Sequence, residues 1–276
     1  MPVLVHAADR PLARALARRL LEDGGQVRAT SSSGVGLLRA EGIFTASCDP
    51  DDEGTLEAAL TRVHTLVVLL GGLGRADVDA VVREGTAAAR AAEGADVQRV
   101  ILVTLAGADP DASDLLRRAH GEVAQTFAAA GPPSIEVRTG LVDTPASSGM
   151  LAAAGLPPEV RARMVAPVVA HDLVELVVAI DHARSRADGG HLVIAADGPV
   201  RRTLDEHLSL SGSAVGRLTG RRVPTSEERA ALIATLDGPW WTDDPLVPDA
   251  WTLFGVPGTT HGDTVTGEAA PADHAG

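Results

Sequence analysis

The sequence predicts an α/β fold, a doubly wound parallel sheet followed by a small C-terminal region. Through the first half of the 276 residues, short apolar runs alternate with stretches of helical periodicity. Alternation of this kind builds a parallel sheet with helices on both faces. Continuously apolar runs, such as 65–70 and 99–104, suit strands that are covered on both sides.

The elements follow one another in a regular order. The first helix is predicted from a stripe formed by Leu12, Leu16 and Leu20. The Ser-, Gly-, Ala- and Pro-rich stretch 145–160 predicts a mobile segment, and 212–260 predicts irregular structure. The predicted strands are 3–6, 26–30, 43–47, 65–70, 99–104, 134–138 and 191–195. The predicted helices are 11–23, 53–63, 77–93, 113–130 and 171–184.

The loss of alternation after about residue 140 predicts the domain organisation. We expect a core over residues 1–145 and a C-terminal region over 146–258 that interleaves with it. Residues 259–276 are polar and are predicted to form a disordered tail.

Composition excludes several functional classes. The formal charge of −13 disfavours both nucleic acid and membrane surfaces, since both attract basic patches. A single cysteine, Cys48, and a short apolar start without a basic leader predict a cytoplasmic protein. No HExxH or CxxC pattern occurs, so no metal site is expected. The chain contains neither Tyr nor Lys, and its Ala- and Arg-rich composition is typical of high-GC bacteria.

The order of these stretches resembles the atypical or extended short-chain dehydrogenase/reductase superfamily. "VLVHAADRPLARALARRLLEDGGQVRA" resembles its first strand, glycine loop, helix and second strand, and "EGTAAARAAEGADVQRVILVT" resembles the segment that ends at the active-site Ser/Thr, here Thr104. The resemblance to NmrA-like proteins and epimerase/dehydratases implies a Rossmann-type fold and a small-molecule ligand. It also implies that Asp49 lies near an adenine and that Gly71 lies in the loop over a cofactor.

The glycine loop departs from the family pattern G-x-x-G-x-x-G. Matched in register, its positions fall on His6, Asp9 and Leu12. These glycines allow a tight turn, approach of the pyrophosphate and close packing of the helix on the strand. Asp9 is predicted to cap the helix and to repel phosphates, an effect that Arg10 would partly offset. The site is either a helix end that caps itself or a degenerate cofactor loop.

The end of the second predicted strand carries no carboxylate for a ribose. The stretch "RATSSSG" offers Arg28 and Ser31, which could accept a 2′-phosphate and thus favour NADP over NAD. A solvated Ser-rich loop is the alternative.

The family's Tyr-x-x-x-Lys pair is absent. The register places Asp114 and Arg118 there, where a spacing of four residues predicts an ion pair on a helix. Arg remains protonated and cannot act as a base, whereas a desolvated Asp114 could. An ordinary surface ion pair is the alternative.

A rebuilt cleft would bring His6, Asp9, Thr104, Asp114 and Arg118 together as catalytic residues. His6 stands at the carboxyl end of the first strand, where α/β sheets bind ligands, but it could equally be structural. If a dinucleotide binds, the expected contacts are Arg10, Arg28, Ser31, Asp49 and Gly71. The Trp cluster at 240–254 either stacks on a flat ligand or packs in the core.

These departures together favour a protein that kept the fold and lost redox chemistry. We expect an NmrA-like relative that binds a small organic molecule, as a cofactor-independent dehydratase, cyclase or isomerase or as a pseudoenzyme. No cofactor is preferred, NADP is the fallback, and a homodimer is left open. The alternatives are an NADP-dependent oxidoreductase with an unusual phosphate loop and a ligand-sensing regulator that acts through a protein partner.

Overall fold

Seven parallel strands form the central sheet, in the order β10-β6-β5-β4-β1-β2-β3. The structure is a computed structural model that describes residues 1–33, 35–70, 77–183, 190–215 and 224–258, with the backbone alone at residue 145 and over 211–215. The strands of this sheet are β1 (Pro2–Val5), β2 (Gln26–Ser31), β3 (Phe44–Ser47), β4 (Thr65–Leu69), β5 (Arg99–Leu105), β6 (Ser134–Thr139) and β10 (His191–Ala196).

Helices cover both faces of the sheet, and two short strand pairs, β7 (Val142–Asp143) with β9 (Val168–Val169) and β8 (Met164–Val165) with β11 (Arg202–Thr203), lie outside it. The helices are α1 (Pro11–Glu22), α2 (Val35–Ala40), α3 (Glu53–Leu60), α4 (Val78–Gly94), α5 (Leu115–Ala129), α6 (Pro145–Ala153), α7 (Pro158–Arg161), α8 (Ala170–His182), α9 (Leu204–Val215), α10 (Ser226–Leu236) and α11 (Ala250–Phe254).

Alternate residues of the strands enter two separate apolar layers. Leu4, Leu66 and Leu102 pack with α3, α4 and α5. Val3 and Ile101 belong to the opposite layer, with α1 and α8. Burial of both faces is the physical reason why the strands are continuously apolar, and it confirms the predicted doubly wound sheet.

The order in which successive strands are added to the sheet reverses between β1 and β4. From β1 the chain proceeds outwards to β2 and β3, and from β4 it proceeds the other way to β5, β6 and β10. A crevice therefore opens at the carboxyl ends of β1 and β4, which is the usual ligand position in such sheets.

The stretch 145–160 is helical, so the prediction of a mobile segment is wrong. Thr144 and Ser147 form a capping box, in which each side chain bonds the other residue's backbone N–H, and Pro145 occupies the first turn. These caps start α6 in spite of a composition typical of a loop. The region predicted to be irregular likewise contains α10 and α11, while residues 259–276 lie outside the described part of the chain.

Candidate functional site

A pocket of about 530 Å³ lies at the crevice between β1 and β4, where the strand order reverses. Its wall is formed by the start of α1, the carboxyl ends of β4, β5 and β6, and the first turns of α6. Most of this wall is apolar, with Leu12, Leu69, Leu70, Val103 and Leu105 among the lining residues. Its size and lining are those of a site for a small organic molecule.

The turn between β1 and α1 shows that the predicted glycine register is wrong by one residue. Ala7 has a φ of +52°, the left-handed conformation that the first glycine of such a loop provides. Ala13, six residues later, is 1% exposed where the helix packs closely on the sheet. Arg10 lies midway between them. The three positions are therefore Ala7, Arg10 and Ala13, and only the middle one carries a large side chain.

Asp9 does not cap α1, contrary to the prediction. Arg10 is the N-cap residue, and no side chain of the described residues caps this helix end. Pro11 occupies its first position, and Asp9 Oδ1 is buried without a hydrogen-bond partner among the described residues. The first-turn N–H groups, which have no partner within a helix, are thus left available for an anion.

The guanidinium of Arg10 spans the mouth of the crevice. It donates to Glu84 Oε2 at 2.5 Å and to the carbonyl oxygen of Leu69 at 3.3 Å. The Arg10 side chain lines the pocket and is 26% exposed, whereas that of Glu84 is 8% exposed. A partly exposed cation therefore stands at the end of α1 that attracts negative charge.

His6 is not part of the pocket wall. Its Nδ1 atom is 2.9 Å from Thr30 Oγ1, which also accepts a hydrogen bond from the Ala7 N–H. The ring is 3% exposed. In this arrangement His6 joins the ends of β1 and β2, so the structure does not bring it to Thr104.

Thr104 lines the pocket and connects it to a buried charge network. Its Oγ1 donates to Glu136 Oε1 at 2.8 Å, and Arg138 Nε donates to the same oxygen at 2.9 Å. His191 Nε2 lies 3.1 Å from Glu136 Oε2, and its Nδ1 lies 2.8 Å from Ser134 Oγ. Sequence reasoning missed this network, although charged residues that alternate with apolar ones in "SIEVR" are a signal for it.

Burial alone would raise the pKa of Glu136, which is 0% exposed. Hydrogen bonds from His191, Arg138 and Thr104, together with the positive charge of Arg138, outweigh burial and leave this pKa below its ordinary value. Glu136 is therefore a fully ionised carboxylate at neutral pH, held behind the pocket wall.

The predicted pair of Asp114 and Arg118 does not form, and neither residue lines the pocket. Asp114 is the N-cap of α5, where Oδ1 accepts from the Arg117 N–H at 2.9 Å. Arg118 Nε donates to the carbonyl oxygen of Ala112 at 2.9 Å. Of these two neighbouring arginines, Arg117 is the buried one, because it lies on the face of α5 that packs against the protein interior.

Two of the predicted ribose and phosphate contacts are directed elsewhere. Arg28 lies in the middle of β2 and donates to the carbonyl oxygens of Ala59 and Thr61, three residues short of the strand's carboxyl end. Three strand residues span about 10 Å, so Arg28 does not reach that end. The Ser31 hydroxyl bonds the backbone of Ser33.

The two remaining predicted cofactor contacts are Asp49 and Gly71, and the structure describes only Asp49. Asp49 is exposed after β3, and its Oδ1 accepts from the Asp51 N–H at 3.1 Å. Gly71 lies outside the described residues.

The predicted Trp cluster divides into separate environments. Trp240 is 1% exposed, and it belongs both to the core and to the pocket wall. Trp241 donates to Asp243, and Arg201 lies 4.7 Å from the centre of its ring. Trp251 Nε1 donates to the carbonyl oxygen of Asp197 at 2.7 Å.

No family model and no curated protein matches the chain. Solved structures of several other proteins share its fold over nearly its whole length. Triphenylmethane reductase of Citrobacter sp., solved with NADP(H), has a TM-score of 0.71 at 17% identity, with 96% of this chain and 99% of that one covered. The NADPH-dependent quinone oxidoreductase QOR2 of Escherichia coli, solved with NADPH, has a TM-score of 0.69 at 19% identity, with 96% and 98% covered.

The third structure is MoeE5 in complex with UDP-glucose and NAD, with a TM-score of 0.65 at 15% identity and 94% of each chain covered. At these identities the likeness shows the fold. The chain therefore has a Rossmann-type α/β fold, which is the fold that the resemblance to extended short-chain dehydrogenases/reductases implies.

The expectation that no cofactor is preferred is wrong. The three structures compared above are solved with NADP(H), NADPH or NAD, which points to a nicotinamide cofactor. The residues present fit one. The N-terminus of α1 is free of a side-chain cap, Arg10 supplies a cation, and Ala7 and Ala13 are small enough for the outer glycine positions. The large side chain at position 10 and the carboxylate of Asp9 beside it are the remaining departures.

Proposed function

We propose that this chain is a nicotinamide-dependent oxidoreductase that acts on a small, largely apolar organic molecule and uses NADP(H). The observation that carries this proposal is the pocket of about 530 Å³ that begins at the uncapped N-terminus of α1 and continues along the carboxyl ends of β4 to β6. When bound, the cofactor supplies or accepts a hydride.

Different residues along the crevice would bind different parts of the cofactor and the substrate. The first-turn N–H groups of α1 and the guanidinium of Arg10 would hold the pyrophosphate. At the end of β2, Ser32 and Ser33 are exposed and no carboxylate is present to repel a 2′-phosphate, which favours NADP over NAD. The apolar wall excludes water and receives the substrate.

The absence of Tyr and Lys restricts the reaction to substrates that need no adjacent phenol as proton donor. Two of the structural neighbours are a triphenylmethane reductase, linked to triphenylmethane dyes, and a quinone oxidoreductase, and both kinds of compound are built on flat rings with large apolar faces. This agrees with the apolar lining of the pocket and supports the same broad substrate class here.

Titration of the purified protein with NADPH and NADH, followed by calorimetry, tests the proposal. We expect NADPH to bind in roughly the micromolar range usual for enzyme ligands and more tightly than NADH. Binding of neither nucleotide would overturn the proposal. A stoichiometric protein partner recovered in that case would instead support a regulator.

Variants at Arg10 and Arg14 test the phosphate contact. Arg10→Gln should weaken NADPH binding by about ten- to a hundredfold, because one charge-assisted hydrogen bond is worth about 1.5–3 kcal/mol. Arg14→Gln is the matched control, since it removes the same charge one turn further along α1 from a residue outside the pocket wall. It should change the dissociation constant by less than about twofold.

A further inference from the structure

Arg10 is the one charged residue among the described residues that line the pocket. Its guanidinium is held on two sides, because Nη1 donates to the carbonyl oxygen of Leu69 at 3.3 Å and Nη2 donates to Glu84 Oε2 at 2.5 Å. An arginine has more N–H donors than these two bonds use. Since the side chain is 26% exposed, the guanidinium can bond a ligand while it keeps both protein contacts.

Glu84 is a buried carboxylate behind Arg10. Its side chain is 8% exposed, it is one of the buried residues of α4, and it is not among the lining residues of the pocket. Burial deprives an ionised carboxylate of its hydration, so such a group is stable only where protein donors replace the water. Arg10 supplies one of these donors as a charge-assisted hydrogen bond, which opposes movement of the guanidinium away from Glu84.

The backbone that carries Glu84 is fixed by close packing. Gly85 is the next residue, and a Cβ atom there would overlap the side chain of Val123 on α5. The two helices are therefore in direct contact at this point, and packing of this density resists displacement. Glu84 is thus a fixed point on α4 that sets the position of Arg10 at the start of α1.

This arrangement bears on the large side chain at position 10, where the family loop has a glycine. A glycine at this position lets the pyrophosphate approach the backbone, and a long side chain hinders that approach. A guanidinium offers charged donors to a phosphate instead, in a geometry suited to two parallel hydrogen bonds. The contact is strong only if the guanidinium is already oriented, because ordering a long side chain on binding costs affinity.

We propose that Glu84 is a positioning residue for recognition of a pyrophosphate group: it orients the guanidinium of Arg10, and the Arg10–Glu84 pair takes the place of the middle glycine of the loop. This inference rests on the proposed function in treating the start of α1 as the phosphate site of the cofactor. It adds a residue on a different helix, and it makes the position of the Glu84 carboxylate more important than its charge.

Two variants separate position from charge. Glu84→Asp keeps the charge but draws the carboxylate back by one methylene group, so Arg10 loses its orientation. Glu84→Gln keeps the length and an acceptor oxygen but removes the charge. Calorimetry on the full chain should show that Glu84→Asp binds both inorganic pyrophosphate and NADPH about two- to tenfold more weakly than the wild type, the range that ordering one long side chain contributes.

Glu84→Gln should stay within about twofold of the wild type, because its amide oxygen still accepts from Arg10 and loss of the carboxylate removes a repulsion of phosphate. Unchanged binding by Glu84→Asp would overturn the proposal. An equal loss in Glu84→Gln would also overturn it, since the charge and not the position of the carboxylate would then control binding.

The Arg10→Gln background distinguishes positioning of Arg10 from a general effect on α4. If Glu84 acts through Arg10, Glu84→Asp should have no further effect on pyrophosphate binding once Arg10 has been replaced, so the two substitutions are coupled. A structural defect in α4 would persist in this background. A loss of the same size in both backgrounds would therefore contradict the proposal.

Glu41→Asp is the matched control. Glu41 accepts from Arg18 Nε at 2.7 Å, so this variant shortens a carboxylate that pairs with another arginine of α1, and both residues lie outside the pocket wall. Both affinities should stay within about twofold of the wild type, as expected for an exposed ion pair. A loss as large as that of Glu84→Asp would show that the effect is not specific to Glu84 and would count against the proposal.

A second measurement covers the case in which Glu84→Asp does not fold. In ¹⁵N-labelled wild-type protein, the Arg10 guanidinium signal can be assigned from its absence in Arg10→Gln. It should show restricted rotation before any ligand is added and should move when inorganic pyrophosphate binds. Free rotation in the unliganded protein would overturn the proposal.

The two ligands separate this inference from the proposed function. NADPH binding that Glu84→Asp does not weaken would contradict the inference alone. Pyrophosphate binding that depends on Glu84, without NADPH binding, would contradict the proposed function alone. A wild-type protein that binds neither ligand would overturn both.

Discussion

Ala7 adopts a backbone conformation that its side chain disfavours. Its φ is +52°, and the residue is 2% exposed at the turn between β1 and α1. Two hydrogen bonds hold the turn, from the Ala7 N–H to Thr30 Oγ1 at 3.1 Å and from the Ala8 N–H to the Thr30 carbonyl oxygen at 2.8 Å. These bonds to β2 offset the strain at the position where a glycine would have none.

Ala7→Gly should therefore stabilise the protein. Removal of the Cβ atom relieves a left-handed conformation that costs roughly 1 kcal/mol in an L-residue, so the free energy of unfolding should rise by about that amount. Urea denaturation measures the change. Ala8→Gly, at a neighbouring residue without positive φ, is the control and should lower stability instead. A destabilised Ala7→Gly variant would show that the turn is not strained.

Asp197 provides a test of pH dependence. Burial raises its pKa to about 6, although a hydrogen bond from the Thr242 N–H and the charge of Arg201 act in the opposite direction. Since the pKa is raised on folding, the stabilising contribution is fully present below pH 4 and is lost as the pH rises through 6. Wild-type stability should therefore contain a component that falls between pH 4 and pH 7.

Asp197→Asn should remove this component. The variant should be more stable than the wild type at pH 7.5, by at most about 3 kcal/mol at about 1.4 kcal/mol per pKa unit, and the gain should shrink towards pH 4. Thermal unfolding across this pH range measures it. Asp244→Asn, an exposed neighbour, should shift stability by less than about 0.5 kcal/mol. A gain of equal size at both ends of the range would contradict the assignment.

At the scale of elements, α5 connects the sheet to the C-terminal region through Arg117. This side chain is 2% exposed and donates to the carbonyl oxygens of Ala106, Thr235 and Pro239. Burial lowers the pKa of Arg117, and the charge of Asp114 partly opposes this effect. One guanidinium thus joins the end of β5 to the end of α10 and places the segment that carries Trp240.

Arg117→Met should lower the free energy of unfolding by about 3 kcal/mol or more, because three carbonyl oxygens each lose a hydrogen bond and Asp114 loses its ion-pair partner. Arg118→Met is the matched control on the same helix. It loses one hydrogen bond, to Ala112, and should cost less than about 1.5 kcal/mol. Similar losses for the two variants, measured by chemical denaturation, would show that Arg117 has no special role.

At the scale of the whole molecule, the fold could be predicted because its strands are buried on both faces. Periodicity alone located the seven central strands within a residue or two at each end. The short helix α6 was missed because its start depends on the Thr144 and Ser147 cap, which composition obscures. No described helix combines the length and apolar character needed to cross a membrane.

The candidate site was harder to predict because side-chain direction depends on register. The predicted register of the glycine loop is off by one residue, so it assigns the first two glycine positions to His6 and Asp9 instead of Ala7 and Arg10. The sequence gives no sign of the positive φ at Ala7, because alanine rarely adopts it. In α5 the predicted ion-pair partner of Asp114 was Arg118, whereas the structure pairs Asp114 with Arg117. Thr104, which the family resemblance singled out, lies near the carboxyl end of β5 and lines the pocket, and its catalytic role stays a prediction.

The position of β10 has a consequence for the way the chain is made. β6 ends at residue 139, but its outer neighbour does not begin until residue 191, and the described residues between them form three helices and three short strands. Until that stretch has left the ribosome, the backbone of β6 offers unpaired N–H and C=O groups along one side. A newly made chain, or one cut before residue 191, therefore has an open edge to which another chain can add a strand.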